Sequence, residues 1–277
     1  MFRTGLRPAL LAALLAGASP TLAAPPPPPF GGLPTTYSYV SLADMALAAP
    51  VVIAADIVDA IPVKDATGVP AGKARYYVQA TVKALISGHV DLPLQITYQV
   101  DIPADPQGKK RKLKGVPVLL LAAATPTPGM LRLIGPDAQV PRTPENEARI
   151  RAILAAAIAP DAPPVITGIT RAFHVAGTLP GESETQIFIK TADARPISLN
   201  VLRRPGQKPR WAVALTELVD DSAAPPPPDS LLWYRLACGL PHRLPDAAVD
   251  GQDPADADAA RADYAVVLSG LGTCRSN

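Results

Sequence analysis

Between Pro50 and Ile134 the chain alternates apolar runs with turn signals, and none of these runs carries a helical period. Val51 to Ile61 begins as a continuous apolar run and then alternates, with Ile57, Asp59 and Ile61 on one face of an extended strand. Gly68 and Gly72 break it. Arg75 to Ile86 then carries Tyr76, Val78, Ala80, Val82 and Ala84 at period two, opposite Arg75, Tyr77, Gln79, Thr81 and Lys83. That pattern predicts a half-buried strand ending at Ser87-Gly88. Leu94 to Val100 alternates as cleanly. Val116 to Ala124 is a continuous apolar run and predicts a more fully buried strand, and Met130 to Ile134 follows a Thr-Pro-Thr-Pro-Gly turn.

Five such strands in so short a span predict an OB-like antiparallel barrel, because closure removes the exposed edges of a small sheet. In front of it, Ser41 reads as an N-cap with Asp44 at N3, opening a short helix that stops before Pro50 and whose Leu42 and Met45 are placed to plug one barrel end. The layout resembles the netrin/TIMP-like branch of OB-fold domains. The likeness lies in the short helix with the stretch Ala49 to Val58, in Tyr76 to Gly88 and in Gly115 to Ala122, and it covers residues 41–134. In that family the metalloprotease inhibitors reach the metal through an N-terminal cysteine. This chain has no cysteine before Cys238, so inhibition by that route is not carried over.

Beyond the barrel, Thr143-Pro144-Glu145 starts a helix with a capping hydroxyl, a proline at the first helical position and acidic residues at the positive end of the dipole. Ile150, Ile153, Leu154, Ala157 and Ile158 form its apolar stripe, and Pro160 ends it. This helix reads as a bridge between two β-rich parts. From Val165 to Asp220 the period returns to two, with strands at Phe173 to Val175, Gln186 to Lys190, Ile197 to Leu202 and Trp211 to Val219. Arg204-Pro205-Gly206-Gln207 has proline and glycine where a type II turn requires them. The tail adds an apolar segment, Leu231 to Leu240, and a helix from about Pro254 to Leu268.

The expected fold is mainly β with a few helices: an OB-like five-stranded barrel, a second antiparallel sheet region and a disulfide-pinned C-terminal helical tail. The expected boundaries are a signal peptide at 1–23, a Pro/Gly-rich linker at 24–37, the barrel at 38–140, the bridging helix at 141–163, the second sheet at 164–223 and the C-terminal extension at 224–277.

The first residues fit a secretory signal: Arg3 and Arg7 precede the apolar run Ala9 to Ala18, and Thr21-Leu22-Ala23 supplies small residues before a cut after Ala23. Cleavage there predicts a periplasmic or secreted chain with no transmembrane span, since no other run approaches the length of one. It also removes two arginines, so 26 basic and 24 acidic residues become 24 and 24. A near-neutral chain lacks the footprint of a nucleic-acid binder. Cys238 and Cys274, the chain's two cysteines, pair most simply as a structural disulfide in an oxidising compartment.

Catalytic motifs are sparse. His89, His174 and His242 lie far apart in sequence, without metal-ligand spacing, and read as surface or turn residues, with His174 the best catalytic candidate because it sits on a strand. Gly181-Glu182-Ser183-Glu184-Thr185 starts like a nucleophile elbow but lacks the second glycine and runs into a strand. No catalytic residue, metal site or cofactor is assigned. The remaining feature is a basic loop, Lys109, Lys110, Arg111, Lys112 and Lys114, with a weaker second cluster at Arg203, Arg204, Lys208 and Arg210. Such clusters in a neutral chain polarise the surface. They point to an anionic partner: an envelope protein, or an anionic lipid or polysaccharide surface. The sequence thus predicts a non-catalytic binding or scaffolding protein of the cell envelope. Two alternatives are an envelope-polymer hydrolase using Glu182, Glu184 or His174, and an inhibitor of an exported protease.

Overall fold

A computed structural model describes residues 30, 33–105, 111–215 and 224–274. The signal-peptide segment, most of the proline-rich linker, Lys109 and Lys110, and residues 216–219 of the last expected strand lie outside them. Helix α1, Tyr39–Ala48, precedes strands β1, Val51–Pro62; β2, Lys73–Ser87; β3, Gln95–Pro103; β4, Pro117–Ala124; β5, Leu131–Leu133; and β6, Gln139–Pro141. The ladder of this first sheet runs β3-β2-β1-β4-β5 with β6 beside β4, antiparallel throughout. It is not closed. Its two end strands, β3 and β5, meet at one parallel bridge between Thr97 and Met130. With only Leu131–Leu133 in extended form before the chain bends at Ile134-Gly135, β5 is too short to zip along β3.

The continuous apolar run of β4 is explained by burial on both faces. Val118, Leu120 and Ala122 join Ile53, Ile57, Tyr98 and Val100 in the interior core, while Leu119 and Leu121 face the other way with Val52 and Ala54 of β1. On that outer face lie α1 and α2, Pro144–Ile158. Leu42 is therefore buried against the back of β1 and β4 and does not plug a barrel end. Helix α1 also starts earlier than Ser41, because Ser38 is the N-cap and accepts from the Ser41 N–H at 3.1 Å. Thr143 caps α2 as its sequence predicts, but Ile158, the last member of the apolar stripe, is 86% exposed because the helix runs past the edge of its partner surface.

The second sheet is formed by β7, Ile166–Ala176; β8, Ser183–Thr191; β9, Ile197–Arg203; and β10, Arg210–Ala214, in the order β10-β9-β8-β7 and antiparallel. One face carries Ala172, Ile187, Ile189, Leu199 and Val201, and helices α3, Leu231–Gly239, and α4, Pro254–Leu271, bury it. Trp211 of β10 packs directly on Gly270, leaving no room there for a β-carbon. Cys238 and Cys274 form the expected disulfide, tying α3 to the residues just past α4.

The two halves meet at α3 more than at α2. Trp233 packs against both cores and lies edge-on to Tyr39 of α1, with ring centroids 6.3 Å apart. Its neighbour Tyr234 donates its hydroxyl to Asp44 at 2.6 Å. Burial first, and then the bond to Asp44, push the Tyr234 hydroxyl up to about 12. A folded-state value raised above the unfolded one, near 10, gives stability that is complete below about pH 10 and is lost as pH rises through about 12. The wild-type chain should therefore lose stability over that interval, and Tyr234→Phe should flatten part of the loss. Urea midpoints measured at stepped alkaline pH check this.

Candidate functional site

The basic loop before β4 is anchored to the first sheet. Leu113, the one apolar residue among its charges, is 1% exposed and belongs to the interior core. The Arg111 main-chain N–H donates to the Tyr76 hydroxyl at 3.1 Å, and its guanidinium donates to the carbonyls of Pro103 and Ala104 at 3.0 and 3.2 Å. Arg111 thus holds the loop in place, and Lys112 and Lys114 on either side of Leu113 are exposed.

The second cluster sits on the β9–β10 hairpin. The Gln207 N–H donates to Arg204 O at 3.1 Å, and Gly206 has φ +71, which together make the type II turn that the sequence predicts. Arg204, Lys208 and Arg210 are exposed and border one shallow depression. No ion pair joins these three to another described residue. Arg203 is placed differently: its Nε donates to Asp263, which is fully buried.

Asp263 is the centre of a polar network that the sequence did not suggest. Its second carboxylate oxygen accepts from the Thr185 hydroxyl. The Nδ1 of His174 lies 2.8 Å from Thr185 Oγ and 3.6 Å from Asp263. Both Thr185 and Asp263 have no solvent exposure, and the His174 side chain is 9% exposed. His174 is therefore an enclosed residue and not a surface one, whereas His89 and His242 are exposed. Ser183 does not pair with His174. Thr185 is fully enclosed, so its hydroxyl is closed to a substrate from solvent in this conformation. The network's physical role is to fasten α4, through Asp263, to β7, β8 and β9.

Glu182 and Glu184 line a cavity of about 640 Å³ on the opposite face of the second sheet, with Phe173, Val175, Leu202 and Arg204. Glu184 accepts from Asn200 Nδ2 at 2.9 Å, which fixes one carboxylate. Among the described residues no cluster of histidine, cysteine and acidic side chains could hold a metal ion. No described helix is long and apolar enough to cross a membrane. Comparison of the chain with protein-family models and with curated proteins finds no match.

Proposed function

We propose that the chain is an exported, non-catalytic binding protein of the cell envelope that contacts an anionic surface through Lys112, Lys114, Arg204, Lys208 and Arg210. The observation that carries this reading is the anchored basic loop. A solvated tip would need no buried leucine and no arginine holding its backbone, while a loop that presents lysines in a fixed place does. Arg203, paired with buried Asp263, and Arg111, bonded to main-chain carbonyls, drop out of the contact set, and Lys109 and Lys110 lie outside the described residues. The ladder order β3-β2-β1-β4-β5 and the parallel bridge between Thr97 and Met130 support an OB-like reading of the first sheet. The disulfide and the absence of a membrane-spanning helix among the described residues are compatible with export.

A cation near an anionic surface contributes about 1 kcal/mol, so replacing both Lys112 and Lys114 with serine is expected to weaken association roughly 30-fold. The readout is the fraction of tagged protein that sediments with envelope membranes across a salt series. Equal sedimentation of variant and wild type contradicts the reading. A second reading, hydrolysis of an envelope polymer, is favoured by the shared cavity of Glu182 and Glu184. Turnover of an isolated envelope polymer that Glu182→Gln abolishes would replace the binding reading with it.

A further inference from the structure

The first sheet leaves a built opening where its end strands part. The Thr97 N–H donates to Gly129 O at 2.8 Å, which turns it toward β5, and β3 runs along β2 without a register shift. Alternation then turns the N–H and C=O groups of Gln99 and Asp101 to the same outer edge. On either side of β5, Met130 O accepts from the Thr125 N–H just past β4 and the Ile134 N–H donates to Leu121 O of β4. The main-chain groups of Leu133 therefore face β3. No second rung joins the two strands. Between them is a cavity of about 440 Å³ bordered by Arg75, Gln99, Asp101, Leu131, Arg132 and Leu133. Further along β3, Pro103 O is already taken by the Arg111 guanidinium.

The second sheet treats its free edge differently. At β7 the side-chain amide of Gln252 stands in for a neighbouring strand, donating to Ala172 O at 2.7 Å and accepting from the His174 N–H at 3.4 Å. That edge is covered, whereas no described residue caps β3 in this way at Gln99 and Asp101. Alternating main-chain donors and acceptors on both walls of a groove are complemented by one ligand chemistry, an extended backbone. Charge narrows it further. Arg75 donates twice to Asp101, each bond 2.7 Å, so that pair is neutral, while Arg132 is exposed and has no ion-pair partner among the described residues.

We propose that an extended peptide segment of a partner protein adds to β3 in this seam, with an acidic side chain of the peptide meeting Arg132. From Gln99 to Pro103 the edge accommodates about five residues, roughly 16 Å of strand. None of the exposed basic residues Lys112, Lys114, Arg204, Lys208 and Arg210 borders this seam, so its occupancy does not depend on their role.

The test is selection of a random 12-residue peptide library against the purified, disulfide-bonded chain, followed by hydrogen exchange of the chain with and without the enriched peptide. Expected are acidic peptides that slow exchange at Gln99, Asp101 and Leu133. Two variants read the site independently. Gln99→Pro removes an edge-facing N–H and no ladder bond, and Arg132→Glu reverses the rim charge, so that the second stands if the first does not fold. Each should weaken the peptide by about tenfold or more. Three results overturn the proposal: no peptide is enriched, the enriched peptides protect other segments or bind both variants as tightly, or the β3 amides become protected with rising protein concentration alone. The last identifies a second copy of this chain as the occupant.

Discussion

Asp263→Ala is expected to destabilise the fold by about 3–5 kcal/mol, the cost of leaving buried partners of a removed charge unpaired. Three groups depend on that carboxylate: the Arg203 guanidinium, the fully enclosed Thr185 hydroxyl and the His174 imidazole behind it. Arg203 is about one-third exposed and can turn to water, so the larger part of the loss falls on Thr185 and His174. A domain's entire stability is about 5–15 kcal/mol, which makes this loss large enough to threaten folding of the second half. Asp263→Asn keeps the shape and one acceptor, and should cost less. The double variant Asp263→Ala/Arg203→Ala should cost less than the sum of its singles, because each single leaves a charge behind that the double removes. Urea unfolding midpoints with unchanged slopes measure wild type and the four variants. A loss below about 1 kcal/mol for Asp263→Ala would mean that the network does not hold α4 down.

The second large effect is expected from Cys238→Ser/Cys274→Ser. The disulfide spans a sequence separation of 36 residues. A loop of that length removes enough entropy from the unfolded chain to stabilise the native state by about 4 kcal/mol on the chain-entropy account. The midpoint of thermal unfolding should fall by roughly 8–16 °C for a protein of this size. The native fold should persist in the cold, because Tyr264, Val267 and Leu271 of α4 remain buried in the second core without the bond. Calorimetry of wild type and variant, together with far-ultraviolet circular dichroism at low temperature, separates lost stability from lost structure. Equal midpoints would show that the unfolded chain gains nothing from being released.

Strand positions were legible because burial on one face writes period two into the sequence, and in β2 and β3 the observed burial follows that alternation. Closure was not legible. It depends on how far β5 extends before it turns, which a pattern of alternating residues does not encode. Leu113 was missed because a single apolar residue among lysines gives no period at all. Strand β6 was missed for its length, three residues.

The Asp263 network had a readable signal on both sides. Leu199 and Val201 point inward, so parity assigns Arg203 to the same buried face, although its neighbour Arg204 drew both into one exposed cluster. In α4 the buried stripe runs through Ala260, Tyr264 and Val267, and Asp263 falls within it. Its charge hid that a mid-helix carboxylate faces in. Among the described residues of the expected contact set, Lys112, Lys114, Arg204, Lys208 and Arg210 are exposed.

The most direct test of the binding reading is cosedimentation of the purified chain with vesicles, either of phosphatidylcholine alone or of equimolar phosphatidylcholine and phosphatidylglycerol, at about 50 and about 200 mM salt. The account predicts binding to the anionic vesicles at the lower salt, clear weakening at the higher salt and no binding to the neutral ones. Binding that ignores lipid charge and salt, or no binding to either vesicle, would contradict it.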